Sequence, residues 1–366
     1  MTATSTDPAS IDVIAPNLKR RLSGVTSTIL RLVPLQARDI AIVATGPDLP
    51  ASVPQIPLAR LLTMPRSGPH GARVWHARRN NEMIAGLLLK HVLRKRLHLM
   101  FTSASQREHT GLTRWLISRM EAVVATSDRT AAYLKVPSTT IPHGIDTDVF
   151  QPASDKAALR ARLGLPAHGP LIGCLGRIRT SKGTDLFIDA MLAVLPDHPD
   201  ATAFAMGRAV PKDQPFLDAQ RAKIAAAGLT DRLLILPEVP ADATAGWYAA
   251  LDLYVAPQRW EGFGLTPLEA MSCGVPSVAT RTGAFEQIVA EGETGTLVPT
   301  GDAAALQTAI GAALSDPAML ARWQSNCRPR TLNGFRIADE AAALVAIYRR
   351  LLAIRGATGR ITDPKT

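Results

Sequence analysis

Short apolar runs alternate with longer amphipathic stretches along most of the chain. Runs at residues 11–15, 40–44, 73–76, 97–102, 122–126 and 139–145 predict one series of strands, and runs at 171–175, 201–206, 233–236 and 251–256 predict a second. The run at 251–256 is short and largely apolar rather than alternating, the pattern of a parallel strand covered on both faces. Between them, residues 25–38, 82–96, 112–120, 128–134 and 155–164 predict helices. The last helix spans about 337–352, with Ala341, Leu344, Ile347, Tyr348 and Leu351 on one stripe. Residues 47–57 carry four prolines and must be irregular. Strand, loop and helix repeating in this order, twice over, predict an α/β protein of two Rossmann-like domains.

The most informative pattern lies in residues 251–280, a buried strand ended by Pro257, a glycine-bearing loop, a short helix and a further strand at its end. Thr266, Pro267 and Glu269 have the spacing of a capping box with proline at the first helical position. Gly262 and Gly264 let backbone approach a ligand, and the N–H groups of the helix start suit a phosphate. Glu261 and Glu269 bracket the loop. Carboxylates are poor phosphate ligands but accept hydrogen bonds from sugar hydroxyls, so the combination points to a nucleotide-sugar. The alternative is that Glu269 only caps its helix and Glu261 is solvated.

Other candidates carry charge. The loop after residue 175, Gly176-Arg177-Ile178-Arg179-Thr180-Ser181-Lys182-Gly183, does not have the Walker A order. His76 ends a strand, where open α/β sheets hold ligands, and Arg78 and Arg79 follow it; a buried structural histidine is the competing reading. Lys19, Arg20 and Arg21, in the loop before Gly24, are suited to an anionic acceptor or are simply solvated. The run Arg94-Lys95-Arg96, with Arg60, Arg66 and Arg73, either answers a helix dipole or rests on an anionic membrane.

At 366 residues, 46% hydrophobic, the chain suits two domains, and no apolar stretch approaches the roughly 20 residues of a membrane span. Its first ten residues lack the basic and apolar regions of an export signal, and three cysteines without metal spacing fit a reducing cytosol. The net charge of +10 is lopsided: residues 1–150 hold 19 Lys and Arg against 10 Asp and Glu, the remainder 22 against 21. A basic first half raises nucleic acid as a partner, but base stacking would need interleaved aromatics, and residues 60–96 contain only Trp75.

The stretch E-G-F-G-L-T-P-L-E-A-M-S-C-G-V-P-S-V-A-T resembles the donor signature of retaining glycosyltransferases of the group 1, or family 4, type. The resemblance extends to Gly24 in the first loop, to I-P-H-G-I-D-T-D-V-F-Q-P with His143 where relatives usually have Asn, and to G-E-T-G-T-L-V-P. It implies the GT-B fold, two Rossmann-like domains facing a central cleft: 1–150 for the acceptor, 151–335 for the donor, and 336–366 a helix crossing back, then a tail. It implies that Glu261 meets the donor sugar, Glu269 the ribose, and Arg177 and Lys182 the diphosphate. Gly24, Gly262, Phe263, Gly264, Leu265 and Thr266 would line the donor, with Glu238 near the base and an acidic Glu286 matching relatives. The pieces I-A-P-N-L-K-R-R-L-S-G, W-H-A-R-R-N and Q-R-W-E-G-F-G-L resemble lipopolysaccharide core mannosyltransferases. That resemblance implies GDP-mannose as donor, an anionic Kdo-lipid A type acceptor, a catalytic role for His76, and peripheral contact with the inner face of the cytoplasmic membrane. Neither metal nor cofactor is expected. A hexosyltransferase using a UDP-sugar, or an epimerase on the same fold, is the alternative.

Overall fold

A computed structural model of the chain describes residues 7–20 and 24–354. They form two units, one of residues up to Pro142 together with those from Ile337 onward, the other of His143–Arg336. Ten of the twelve strands lie at the apolar runs: the first unit holds β1 Val13–Pro16, β2 Ile42–Thr45, β3 Arg73–Ala77, β4 Leu97–Ser103, β5 Ala122–Ala125 and β6 Thr139–Thr140. The second holds β7 Leu171–Leu175, β8 Thr202–Met206, β9 Leu233–Leu236, β10 Leu253–Ala256, β11 Ser277–Thr280 and β12 Gly295–Val298. Each unit has a six-stranded sheet, in the orders β2-β1-β3-β4-β5-β6 and β12-β11-β10-β7-β8-β9. All the pairings are parallel. Parallel pairing requires crossovers, so both faces of each sheet are covered by helices and the strands are buried.

In the first unit the helices Gly24–Gln36 and Ile337–Leu352 cover one face, burying Ile29, Leu32, Leu344 and Leu351 against Val13, Ile42 and Val74. The helices Asn80–His91 and Gly111–Ser118 cover the other through Met83, Leu89, Leu116 and Ile117. In the second unit Thr184–Val194 and Ala303–Ser315 pack against one face, and Thr266–Ser272 and Thr244–Ala249 against the other.

The structure departs from expectation in three ways. The helix expected to reach residue 96 stops at His91, because Arg94 takes a left-handed conformation (φ 52°) and turns Lys95 inward. Lys95 Nζ donates to the carbonyls of Leu62 (2.9 Å) and Met64, and Arg73, also buried, donates to those of Pro65 and Pro8 (both 2.9 Å). Two of the six cations expected on one surface are therefore committed inside. The strand expected over 139–145 shrinks to two residues, since Pro142 has no N–H to continue the ladder. The helices Thr184–Val194, Gln214–Ala226, Ala303–Ser315 and Pro317–Gly334 were not predicted at all.

Candidate functional site

In the second sheet the connections run outward in one direction from β7 to β9 and in the other from β10 to β12, so β7 and β10 flank the topological switch point. Open α/β sheets bind ligands beyond the carboxyl ends of such strands. The two loops the sequence singled out both start there. Gly176–Gly183 follows β7 and Pro257–Leu265 follows β10.

Backbone and side chain lock these loops together. Gly183 is left-handed (φ 72°), and a Cβ there would stand 1.9 Å from the Pro257 carbonyl oxygen, so only glycine lets the loops touch. Arg259 donates to both carboxylate oxygens of Asp185 (2.7 and 2.8 Å) and to the Thr180 carbonyl (2.6 Å), the forked geometry that fixes orientation as well as charge. Its hydrogen bond to Asp185 raises the Arg259 pKa further above its already high usual value. Across this seam Lys182 Nζ and Glu261 Oε2 form an ion pair, while Glu261 Oε1 accepts the Gly262 N–H at 3.0 Å. Arg177 is exposed on the same loop.

The Thr266–Ser272 helix starts one residue earlier than the capping box requires. Leu265 occupies the cap position and makes no side-chain cap bond, Thr266 being already helical. Glu269 is instead partnered by the buried Tyr248 hydroxyl, whose pKa is pushed well above 10 by burial first and by the Glu269 charge next. Gly264 is left-handed (φ 86°), with Phe285 Cε1 2.3 Å from where a Cβ would be. Phe263 is buried, edge-on to His143 at 4.9 Å between ring centroids. Glu238 follows β9, is exposed, and lies 3.3 Å from the Arg208 Nε.

Arg259, Trp260 and Tyr248 belong to this neighbourhood and were not singled out from sequence. Trp260 is 51% exposed beside Glu261, and it stands with Arg259 in the Q-R-W-E-G-F-G-L stretch, the one signal the sequence offered. The partners of the other two are distant in sequence and invisible from it.

The first unit answers differently. His76 is fully buried, its Nδ1 2.6 Å from the Tyr348 hydroxyl and its Nε2 2.7 Å from Thr102 Oγ1. Both ring nitrogens are occupied and no surface is left for a substrate, so the catalytic role expected for His76 gives way to a structural one. Arg79 is likewise committed: it donates to Glu82 (2.7 Å), Asn17 (2.9 Å) and Thr26 (3.1 Å), and the Arg78 N–H donates to Glu82 Oε2 at 2.8 Å. Arg79 thus binds its own fold together, and Arg78 is buried with its Nη1 donating to the His76 carbonyl at 3.3 Å. Lys19 and Arg20 are exposed; Arg21 lies outside the described residues, and Gly24 opens its helix.

Burial, then the nearby Arg78 charge, pushes the His76 pKa well below 6.5. The unfolded chain therefore binds this proton more readily, so stability is complete above about pH 6.5 and declines as pH falls towards the folded pKa, by about 1.4 kcal/mol per pH unit. Burial lowers His98 and His109 in the same direction. Chemical denaturation between pH 7.5 and 5 should register the decline, and His76→Gln should flatten it.

Among the described residues no group of three or more His, Cys, Asp or Glu side chains is placed to hold a metal ion. The cysteines are buried and unreactive, burial pushing Cys174 and Cys273 up to about 12.

Residues 155–330 match the model for glycosyl transferases group 1. The chain is 50% identical over 355 residues to the lipopolysaccharide core biosynthesis mannosyltransferase LpsB of Rhizobium meliloti (strain 1021), covering 94% of this chain and 99% of the relative. It belongs to the group 1 glycosyltransferases. A second group 1 relative, the lipopolysaccharide core biosynthesis mannosyltransferase LpcC of Rhizobium leguminosarum bv. viciae, is 47% identical, covering 94% and 98%. The crystal structure of Anabaena Alr3699/HepE in complex with UDP matches 93% of this glycosyltransferase and 100% of that chain, with a TM-score of 0.80 at 19% identity. At that identity the likeness speaks for the fold, GT-B.

Proposed function

We propose that this glycosyltransferase moves mannose from GDP-mannose to a Kdo-lipid A type acceptor in lipopolysaccharide core synthesis, with retention, at the inner face of the cytoplasmic membrane. The observation that carries the reading is the Lys182–Glu261 ion pair joining the loops after β7 and β10 at the switch point of one sheet. The names of the two Rhizobium relatives favour mannose and the core acceptor.

In this reading the bond from the anomeric carbon to the β-phosphate oxygen breaks, and the acceptor hydroxyl oxygen bonds to the same face of the sugar. The hydroxyl proton passes to the departing phosphate oxygen, so no enzyme nucleophile is needed. Negative charge grows on the diphosphate as the bond breaks, and Arg177 and Lys182 stabilise it where it develops, without a metal ion. Glu261 accepts from sugar hydroxyls and Glu269, oriented by Tyr248, from the ribose. Lys19 and Arg20 are the exposed cations left for the acceptor.

Titration calorimetry with GDP-mannose, UDP-glucose and UDP-GlcNAc tests the donor. GDP-mannose should bind at least tenfold more tightly than either UDP-sugar. A preference for a UDP-sugar would move the chain to the other hexosyltransferases of its fold, and transfer abolished by a chelator would return the diphosphate charge to a metal.

A further inference from the structure

The helices over one face of the first sheet bury their inner residues and leave apolar side chains pointing out. On Asn80–His91 and the residue after it, Ile84, Leu88 and Val92 recur every fourth position, one stripe of a helix, at 40, 55 and 68% exposure. On the neighbouring Gly111–Ser118 helix, Leu112 and Trp115 are 58 and 49% exposed. Leu62, 64% exposed, sits on the turn that Lys95 ties to the end of the first helix.

The stretch of chain that carries these side chains is strongly basic. Residues 58–119 hold 12 Lys and Arg against two acids, and both acids are accounted for: Glu82 is buried and Glu108 pairs with Lys135 at 3.1 Å. Arg66, Arg94, Arg96, Arg114 and Arg119 are exposed, and the Arg119 guanidinium stands 5.3 Å above the Trp115 ring. Arg94, Arg96 and Arg119 also line, together with Asp12, Asp39 and Glu121, a concavity of about 1850 Å³ beside the ends of the two helices.

We propose that this face, formed by the outer sides of Asn80–His91 and Gly111–Ser118, docks on an anionic lipid bilayer, the apolar stripe entering the interface and the arginines meeting lipid phosphates. Charge decides for lipid over a second copy of the chain, because two such faces would oppose cation to cation. Aliphatic side chains with a tryptophan at their edge and arginines around them match the composition of an interfacial helix. The proposal deepens the reading of a lipid-linked acceptor by naming the surface that would bring the enzyme to it. It also revises the patch expected from sequence, since Lys95 and Arg73 are buried and the apolar half was not expected.

Co-sedimentation of the full chain with vesicles tests this without donor or acceptor, so a wrong sugar assignment leaves the result unaffected. Vesicles of phosphatidylcholine with one third phosphatidylglycerol should bind the protein, and pure phosphatidylcholine should bind it much more weakly. Leu88→Ser with Val92→Ser should lower partitioning about tenfold, as expected for withdrawing two exposed aliphatic groups from an interface. Arg94→Glu with Arg96→Glu should lower it at least as much, and the remaining binding should fade as salt is raised. All four residues are exposed, so the variants should melt with the wild type and keep turnover on a detergent-soluble acceptor. Wild-type partitioning in both double variants would overturn the proposal, as would equal binding to both vesicle types. So would light scattering in which the serine variant loses a dimer while its vesicle binding is unchanged.

Discussion

Replacing Lys182 with alanine should lower kcat/KM for transfer by a hundred- to a thousandfold while leaving the melting temperature close to the wild type. The ammonium, on the loop after β7 and 23% exposed, pairs with Glu261. Withdrawing a charge that faces the leaving group typically costs about 2.7 to 4 kcal/mol of transition-state stabilisation, which is the expected rate loss. The loop itself should stay, because Gly183 on Pro257 and Arg259 on Asp185 hold it independently of Lys182. Steady-state kinetics beside a thermal melt reads both quantities. Near wild-type turnover would remove Lys182 from the diphosphate.

Glu261→Gln should separate binding from turnover. Glu261 occupies the same ammonium that a diphosphate would need, so a diphosphate must compete with it. With a neutral amide in its place the competition weakens, and GDP, which has no sugar to lose contact with, should bind several-fold more tightly. Transfer should nonetheless fall by about a hundredfold, because the carboxylate no longer accepts from the sugar during the reaction. Calorimetry with GDP and kinetics on the same variant give the two numbers. If GDP binding weakened together with transfer, the ion pair would be a scaffold and not a competitor.

These expectations rest on residues that differ in how far they could be read in advance. The loops after β7 and β10 were legible because glycines, cations and carboxylates stand at fixed spacing within a few residues of an apolar run. Most strands were legible because a parallel strand covered on both faces is largely apolar. His76 and Arg79 were misread because their roles depend on partners far off in sequence: Tyr348 for one, Asn17 and Thr26 for the other. A strand-end histidine looks the same in sequence whether it faces a substrate or a tyrosine from the last helix. The missed Ala303–Ser315 helix is alanine-rich, with little contrast between its faces, so periodicity had nothing to mark. The early stop at His91 followed from Arg94, whose left-handed backbone no propensity would have assigned to arginine.

The division of the chain has a bearing on synthesis. The second unit is one uninterrupted segment, and its two ends lie side by side, the Ile145 N–H donating to the Phe335 carbonyl at 2.8 Å. It has every residue it needs before translation is complete, and is the natural piece to excise for expression by itself. The first unit is assembled from two stretches with that whole segment between them, and the Tyr348 hydroxyl that engages His76 is made only after it. On the ribosome the usual order of N-terminal domain first is therefore reversed: the nascent first sheet waits with one face partly bare until the final helix emerges. A chain interrupted shortly before Ile337 would release a finished carboxyl-terminal unit joined to an unfinished amino-terminal one.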